Sequence, residues 1–498
     1  MHWLLWIAVG FLVLLAAVAV YDVLQRKHAI LRVFPVIGHL RYILETFGPE
    51  LRQYIVTGND EERPFSRDQR SWIYASAKKQ NSYFGFGTDN ELENVNNFLI
   101  IRHSAFPKHT PVRGQDDYDP LHPVPCLKVL GAARGRTRAF RPPSVVNVSA
   151  MSYGSLSSAA VQAINSGCAA AGCLHNTGEG GVSPHHLHGG DLVWQIGTGY
   201  FGCRTQDGAF DLDCLRQAVE KHDSIKALEI KLSQGAKPGL GGVLPKSKIT
   251  AEIAEIRGIR RDRDCISPAC HSAFSDVSSM LDFVERLASE TGLPVGIKSA
   301  VGQLPFWEEL AHLMDETDRG VDFITIDGGE GGTGAGPLAF TDHVALPFKQ
   351  AFARVYSVFA ERGLADDIVW NGSGKLGLPE NAMLAFALGV DMVFVAREAM
   401  IAVGCIQAQR CHTGGCPTGI ATQNAWKVRG LIPEDKGPRM KNYAVALRYE
   451  LMRLAHACGV DHPGEVTLDM LEILDGHFGS RPAREVFGYQ PHWADPPS

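Results

Sequence analysis

The chain has 498 residues, 45% of them hydrophobic and 20% charged, with 48 Lys plus Arg against 54 Asp plus Glu for a net charge of −6. That balance excludes a basic nucleic-acid surface, and the composition excludes wholesale disorder. Eleven Cys are too sparse for a disulfide scaffold, whereas 52 Gly exceed the usual share of about 7% and point to tight turns or close backbone approach to a ligand.

At about 150 residues per domain the length allows roughly three domains, although one α/β barrel uses about 200 to 250 residues. Residues 3–21, WLLWIAVGFLVLLAAVAVY, carry no charge. At about 1.5 Å per residue they are long enough to cross a hydrocarbon core about 30 Å thick. A transmembrane anchor over 1–25 is therefore predicted, with Trp3, Trp6 and Tyr21 near the interfaces. Arg26, Lys27 and Arg32 follow it, and the positive-inside rule then puts a single-pass chain's catalytic domain on the cytoplasmic side. A signal peptide cleaved near Ala17-Val18-Ala19 is the competing reading, but the stretch has no basic leader and its apolar core is too long.

Residues 26–140 hold helical patterns such as HLRYILETFGPELRQYI and a polar stretch near Gly85 to Asn97. They are expected either to cover the bottom of the next domain or to dock a partner. Proline clusters at 120–125 and 142–143 precede something more regular. Over 141–460, β-prone runs recur: VVNVSAM, CLHNTG, ALEIKLS, CISP, PVGIKSA, FITIDGG, DIVWNGS and MVFVAR. Helix-length amphipathic segments separate most of them, which predicts a (β/α)8 TIM barrel. A doubly wound sheet is the alternative, but SAMSYGSLS lacks the G-x-G-x-x-G spacing it would need. A tail over 461–498 carries a helical pattern, LDMLEILDGHF. The runs end at Ser152, Asn176, Lys231, Ser267, Lys298, Asp327, Asn371 and Arg397, and in a barrel those ends form the active-site mouth.

Three local patterns carry chemistry. In GCIQAQRCHTGGCPTG the thiols of Cys405, Cys411 and Cys416 are spaced C-x5-C-x4-C, which suits an iron–sulfur cluster, or zinc with His412 as fourth ligand, three free Cys being the plain alternative. The other eight Cys are expected to pack as small hydrophobes. DGGEGGTGAGP and NGSGKLG put glycines after late strands, where backbone N–H groups converge on phosphate; flexible turns are the plain alternative. In KLSQGAKPGLGG, Lys231, Gln234 and Lys237 leave one strand end, with Lys298 at another. Such cations favour a carboxylate substrate and negative charge on a reduced flavin. Glu179 in NTGEGG is a candidate proton donor or imine-orienting group, although a lone Glu in a loop commonly faces solvent.

Together SAMSYGSLS, NTGEGG, WQIGTGYFG, IKLSQGAKPG, GGEGGTGAGP, NGSGKLG and GCIQAQRCHTGGCPTGIATQ, from about Val145 to Val428, resemble the FMN-binding synthase domain of glutamate synthases. The resemblance implies a 3Fe-4S cluster on Cys405, Cys411 and Cys416. It implies FMN over Met151 and Ser152, touched by Gln195 and Lys231, with Lys298 nearby. Gly372, Gly374 and the stretch of Gly328, Gly329, Gly331, Gly332 and Gly334 would cradle its phosphate. Glu179, Lys231 and Lys237 would serve catalysis on 2-iminoglutarate, made from 2-oxoglutarate and ammonia. Two departures bear on the substrate: the family's GEGGQLP reads GLGGVLP, with Leu240 and Val243, and SPPPHHD reads SPACHSA, keeping His271. Losing a hydrogen-bonding Gln changes what a site can discriminate. No glutaminase and no nucleotide fingerprint accompany the barrel, so ammonia is expected free or from a separate glutaminase. Electrons are expected from a ferredoxin-like protein or a reductase subunit. Two other functions compete: a flavin dehydrogenase or synthase for an N-alkylated amino acid, and a non-catalytic membrane electron carrier.

Overall fold

The computed structural model describes residues 2–25 and 28–496, which form two compact units, 1–70 and 71–498. Arg26 and Lys27, on which the orientation argument leans, lie outside the described residues. In the first unit, helix α1 (His2–Leu24) is followed by α2 (Ala29–Val33) and α3 (Gly38–Leu51). Trp3, Trp6 and Tyr21 are all exposed on α1, which is long and apolar enough to cross a membrane by length and composition.

The second unit contains the strands β1 (Asn96–Ile101), β2 (Val146–Val148), β3 (His175–Asn176), β4 (Leu192–Ile196), β5 (Ile225–Lys231), β6 (Val243–Leu244) and β7 (Cys265–Ile266). They are followed by β8 (Val295–Ser299), β9 (Phe323–Asp327), β10 (Val369–Ser373), β11 (Met392–Val395), β12 (Leu471–Asp475) and β13 (Ser480–Pro482). Strands β2, β3, β4, β5, β8, β9, β10 and β11 close a barrel in that order, all parallel, with β11 returning to β2. The predicted barrel is therefore present, and the doubly wound alternative is not.

Two sequence expectations about its strands need correction. CISP is not a barrel stave: Cys265 and Ile266 pair antiparallel with Leu244 and Val243 in a small two-stranded sheet, so Ser267 is not a strand end at the mouth. The missing stave is LVWQI, buried throughout, whose short alternation was hidden inside a glycine-rich neighbourhood. LDMLEILDGHF also departs from its helical pattern, because Leu471–Asp475 is a strand bonded to β1 and β13. Its apolar residues Leu471 and Ile473 recur every second position, and the antiparallel partner Asn96–Ile101 realises that period.

Inside the barrel, side chains stack in layers that grow more polar toward the strand C-termini. The floor is apolar: Leu174, Val193, Ala227, Phe323, Val369 and Met392 pack with Cys126, Leu130 and Phe140 of the preceding segment. That segment plugs the bottom and is pinned there by charge. Arg136 bridges Glu285 (2.6 Å) and Asp322 (3.0 Å), and Lys128 meets Asp391 (3.2 Å). The middle layer gathers on Glu229, which accepts from Asn176 (2.7 Å), Gln195 (2.6 Å) and Thr325 (2.7 Å). The top layer holds Ser149, Lys231, Lys298, Asp327 and Ser373, all buried.

Candidate active site

Lys231 ends β5 and is the register partner of Lys298 on β8, so two ammonium groups project side by side from adjacent strands about 4.8 Å apart. Both are less than a tenth exposed, a costly placement unless each charge is matched. Glu179, in the loop after β3, answers Lys231 at 3.0 Å, and Asp327 answers Lys298 at 3.5 Å. Lys231 also donates to Gln234 Oε1 (2.8 Å) and Lys298 to Ser149 Oγ (3.3 Å). Burial pushes the Glu179 carboxyl up, but Lys231, Arg257 and Lys237 outweigh it and hold it below the ordinary carboxylate range. Burial, reinforced by Lys231, lowers the Lys237 ammonium against the pull of Glu179.

The loops after β5 and β9 are stapled together over this charged layer. Gln234 Nε2 donates to Thr333 Oγ1 (3.1 Å), Lys237 Nζ to Ala335 O (3.0 Å) and the Gly235 amide to Asp327 Oδ2 (2.8 Å). Only glycine serves at 235, because a Cβ there would lie 1.8 Å from Gly328 O. Within the glycine-rich loop the amides of Gly328, Gly329 and Gly331 are spent on Ser373 O, Leu346 O and Gly328 O. Gly372 lies within β10, and Gly374 follows with φ +136°, a conformation that favours glycine. Gly334 meets nothing within 4 Å of where a Cβ would stand, so the loop keeps open backbone there. Met151 and Ser152 are buried just past β2, and Gln195 is buried within β4. The predicted site residues of the mouth thus lie on or just beyond strand ends of one barrel.

Three residues at this site carried no sequence signal. Arg257, 5% exposed, donates to Tyr153 O (2.9 Å) and Ser152 Oγ (3.3 Å) and lies over the Phe201 ring. Burial lowers its pKa against the pull of Cys265 and Glu179. Glu229 looked like part of a strand, and Lys248 like one of many surface lysines. His271, noted only as a survivor of the altered SPACHSA motif, has a positioning role. The Tyr200 hydroxyl accepts from the Ser272 and Ala273 amides (3.1 Å each), which leaves its proton for His271 Nδ1 (3.1 Å). His271 Nε2–H therefore donates to Lys231 O (2.9 Å), and burial favours this neutral ring. Leu240 and Val243 are exposed on the rim rather than enclosed.

Cys405, Cys411 and Cys416 follow the helix Arg397–Val403. Among the described residues, they and His412 do not form a set whose ligand atoms all lie within 4.8 Å of one another. The surroundings suit thiolates. Burial raises the Cys416 thiol, but the amides of Ala421, Thr418 and Ile420 and the Thr418 hydroxyl outweigh it and bring it below the ordinary value. The Gln407 amide points at Cys405 Sγ (3.4 Å). Buried Lys248 donates to Cys411 O (2.8 Å), setting a cation beside the thiols. Burial, reinforced by Cys416, raises the Cys411 thiol against the pull of Lys248. Of the other eight Cys, five are buried, but Cys214 and Cys265 are partly exposed and Cys270 is fully so. The expectation that they pack as hydrophobes fails at Cys270, which sits in the loop after the small two-stranded sheet.

Comparison with known proteins places this geometry. The model of a conserved region in glutamate synthase matches residues 137–461. The chain belongs to the glutamate synthase family. It is 39% identical over 483 residues to the glutamate synthase large subunit-like protein YerD of Bacillus subtilis, covering 91% of each chain. It is 35% identical to an archaeal glutamate synthase [NADPH] of Methanocaldococcus jannaschii, over 64% of this chain and 59% of that one. The glutamate synthase [NADPH] large chain of B. subtilis matches at 31% identity over 55% of this chain but 17% of its own. Among solved structures, the flavin-binding domain of baker's yeast flavocytochrome b2 is similar at 13% identity and a TM-score of 0.44, covering 87% of this chain and 85% of that one.

Proposed function

We propose that this oxidoreductase carries out reductive amination of 2-oxoglutarate, through 2-iminoglutarate, to glutamate, using ammonia and electrons from a separate protein. The observation that carries the reading is the pair of buried lysines, Lys231 and Lys298, with Glu179 and Lys237 beside them at a barrel mouth of this family. FMN would be held by Met151, Ser152, Gln195, Lys231 and Lys298, with its phosphate near Gly332, Gly334, Gly372 and Gly374. Cys405, Cys411 and Cys416 would hold a 3Fe-4S cluster. Bound there, the flavin would supply hydride transfer and the cluster one-electron relay.

The chain's own groups have the following parts. Arg257 and Lys237 would pair with the substrate carboxylates, since both are cations at the site that bring no carboxylate into direct contact. Once ammonia has added and one of its protons has moved to the oxygen, Lys237, whose ammonium burial weakens, would give its Nζ proton to the carbinolamine hydroxyl, which leaves as water and generates the protonated imine. Glu179, kept ionised by its cationic neighbours, would accept from the imine N–H and stabilise the protonated imine. Lys231 and Lys298 would offset negative charge arriving at the mouth, while the β5 and β9 loops exclude water.

Ammonia, a possible glutaminase partner and the electron donor are parts of the same proposal. So is attachment to a membrane through α1, with the barrel on the cytoplasmic side. Protein purified without oxygen should contain flavin and iron, and should form glutamate from 2-oxoglutarate and ammonia when given a reduced ferredoxin. Lys237→Ala should abolish glutamate formation and retain both cofactors. Unsubstituted protein that retains both cofactors and forms no glutamate under these conditions refutes the reaction.

One observation favours a second reading. A Cβ at Gly242 would lie 2.3 Å from Glu179 Oε1, so the rim strand carrying Val243 runs directly past Glu179. An apolar rim there would suit an N-alkylated imine. Methylamine preferred over ammonia, with the preference reversed by Val243→Gln, supports that reading.

A further inference from the structure

Helix α3 and the residue before it carry Ile37, Leu40, Ile43, Leu44, Phe47 and Leu51. At about 100° per residue these fall within an arc of about 120°, while His39, Arg41, Glu45, Thr46 and Glu50 fill the remainder. All six apolar side chains are 43 to 75% exposed. Single exposed hydrophobes are ordinary, but a continuous stripe along a 14-residue helix is a surface waiting for an apolar partner. The polar side is settled in water by an Arg41–Glu45 pair at 2.8 Å, one helical turn apart.

The location of the stripe identifies the partner. Asp22, in the last turn of α1, has no exposed surface. Its carboxylate accepts from the Val36 amide (2.9 Å) and meets His39 Nε2 (3.0 Å). These bonds pin the first turn of α3 to the end of α1. If α1 spans a bilayer, that end emerges at headgroup level, where one face of a helix meets acyl chains and the other meets water. We propose that α3 lies flat in the lipid–water interface, so that the N-terminal unit holds the membrane by one span and one interfacial helix. The apolar surface of α1 then runs on into the stripe, about 21 Å long at 1.5 Å per residue. The inference rests on the reading of α1 as a span.

The test places an environment-sensitive fluorescent amino acid at position 47, 45 or 12 of the full chain, in vesicles of phosphatidylcholine and phosphatidylglycerol. At position 47, lipids brominated near the headgroup should quench several-fold more strongly than aqueous iodide; at position 45 the order should reverse. Leu44→Glu with Phe47→Glu should abolish lipid quenching of a probe at position 40 and leave position 12 unchanged. Equal iodide quenching at 47 and 45 would overturn the proposal. So would protection of 47 from both quenchers together with energy transfer between labelled copies, because a second chain would then cover the stripe. Position 12 separates the two readings: deep-bromine quenching there with no lipid contact at 47 removes only the interfacial helix. Shallow quenching at 47 without deep quenching at 12 keeps the interfacial helix and removes the span.

Discussion

The buried carboxylate of Glu229 offers a quantitative test of the layered barrel. It accepts from Asn176 and Gln195 at one oxygen and from Thr325 at the other. Comparing Glu229→Leu with Glu229→Gln removes the charge in both variants and isolates the hydrogen bonds. Gln can keep its carbonyl toward the two amides and turn its NH2 toward Thr325 Oγ1. Leu leaves both amides without an acceptor, whereas the Thr325 hydroxyl can turn to the side chain of Asn371, whose Oδ1 has no partner among the described residues and whose Nδ2 lies 3.3 Å from Thr325 Oγ1. Two stranded amides at about 1–3 kcal/mol each make Leu less stable than Gln by about 2–6 kcal/mol. In urea, followed by tryptophan fluorescence, the midpoints should differ by at least about 0.7 M for an m-value near 3 kcal/mol/M. Coincident midpoints would refute the reasoning, because they would mean that the middle layer is not held by these bonds.

Arg136→Met should cost about 3–5 kcal/mol, since it strands a fully buried Asp322 and frees Glu285; adding Asp322→Asn should recover part of the loss in the same urea assay. Burial pushes His175 down to about 3 and lowers His186 too, so the folded protein keeps both neutral while the unfolded chain protonates them below about pH 6.5. Stability should therefore be unaffected by this pair above that pH and fall by about 2.7 kcal/mol per unit as pH drops from about 6 toward 4. His175→Gln should halve that contribution, measured by urea midpoints across pH. Gly235→Ala would drive a methyl into Gly328 O, parting the β5 and β9 loops; the flavin content of purified protein should fall severalfold, and an unchanged content would show that the loops tolerate separation.

The barrel was legible because parallel staves buried on both faces read as short apolar runs between amphipathic helices, and seven of its eight strands were found that way. LVWQI escaped because five residues between glycine-rich turns look like a loop, and CISP misled because a two-residue strand of a small side sheet has the same composition as a short stave. The thiol trio, the glycine loops and the Lys231 and Lys237 pair announced themselves by spacing. Arg257, Glu229 and Lys248 did not, since each is an ordinary residue on an ordinary element until the fold surrounds it.

Sequence alone therefore determined the alternation that closes the barrel, the apolar length of α1 and the residue types gathered at the mouth, because periodicity and spacing are local properties. Tertiary structure decided which residues face one another: that Lys231 and Lys298 share a register, that Glu229 draws three donors, and that Asp22 meets the start of α3. Those pairings come from strands and helices distant in the chain, and their energies exist only once water has been removed from between them.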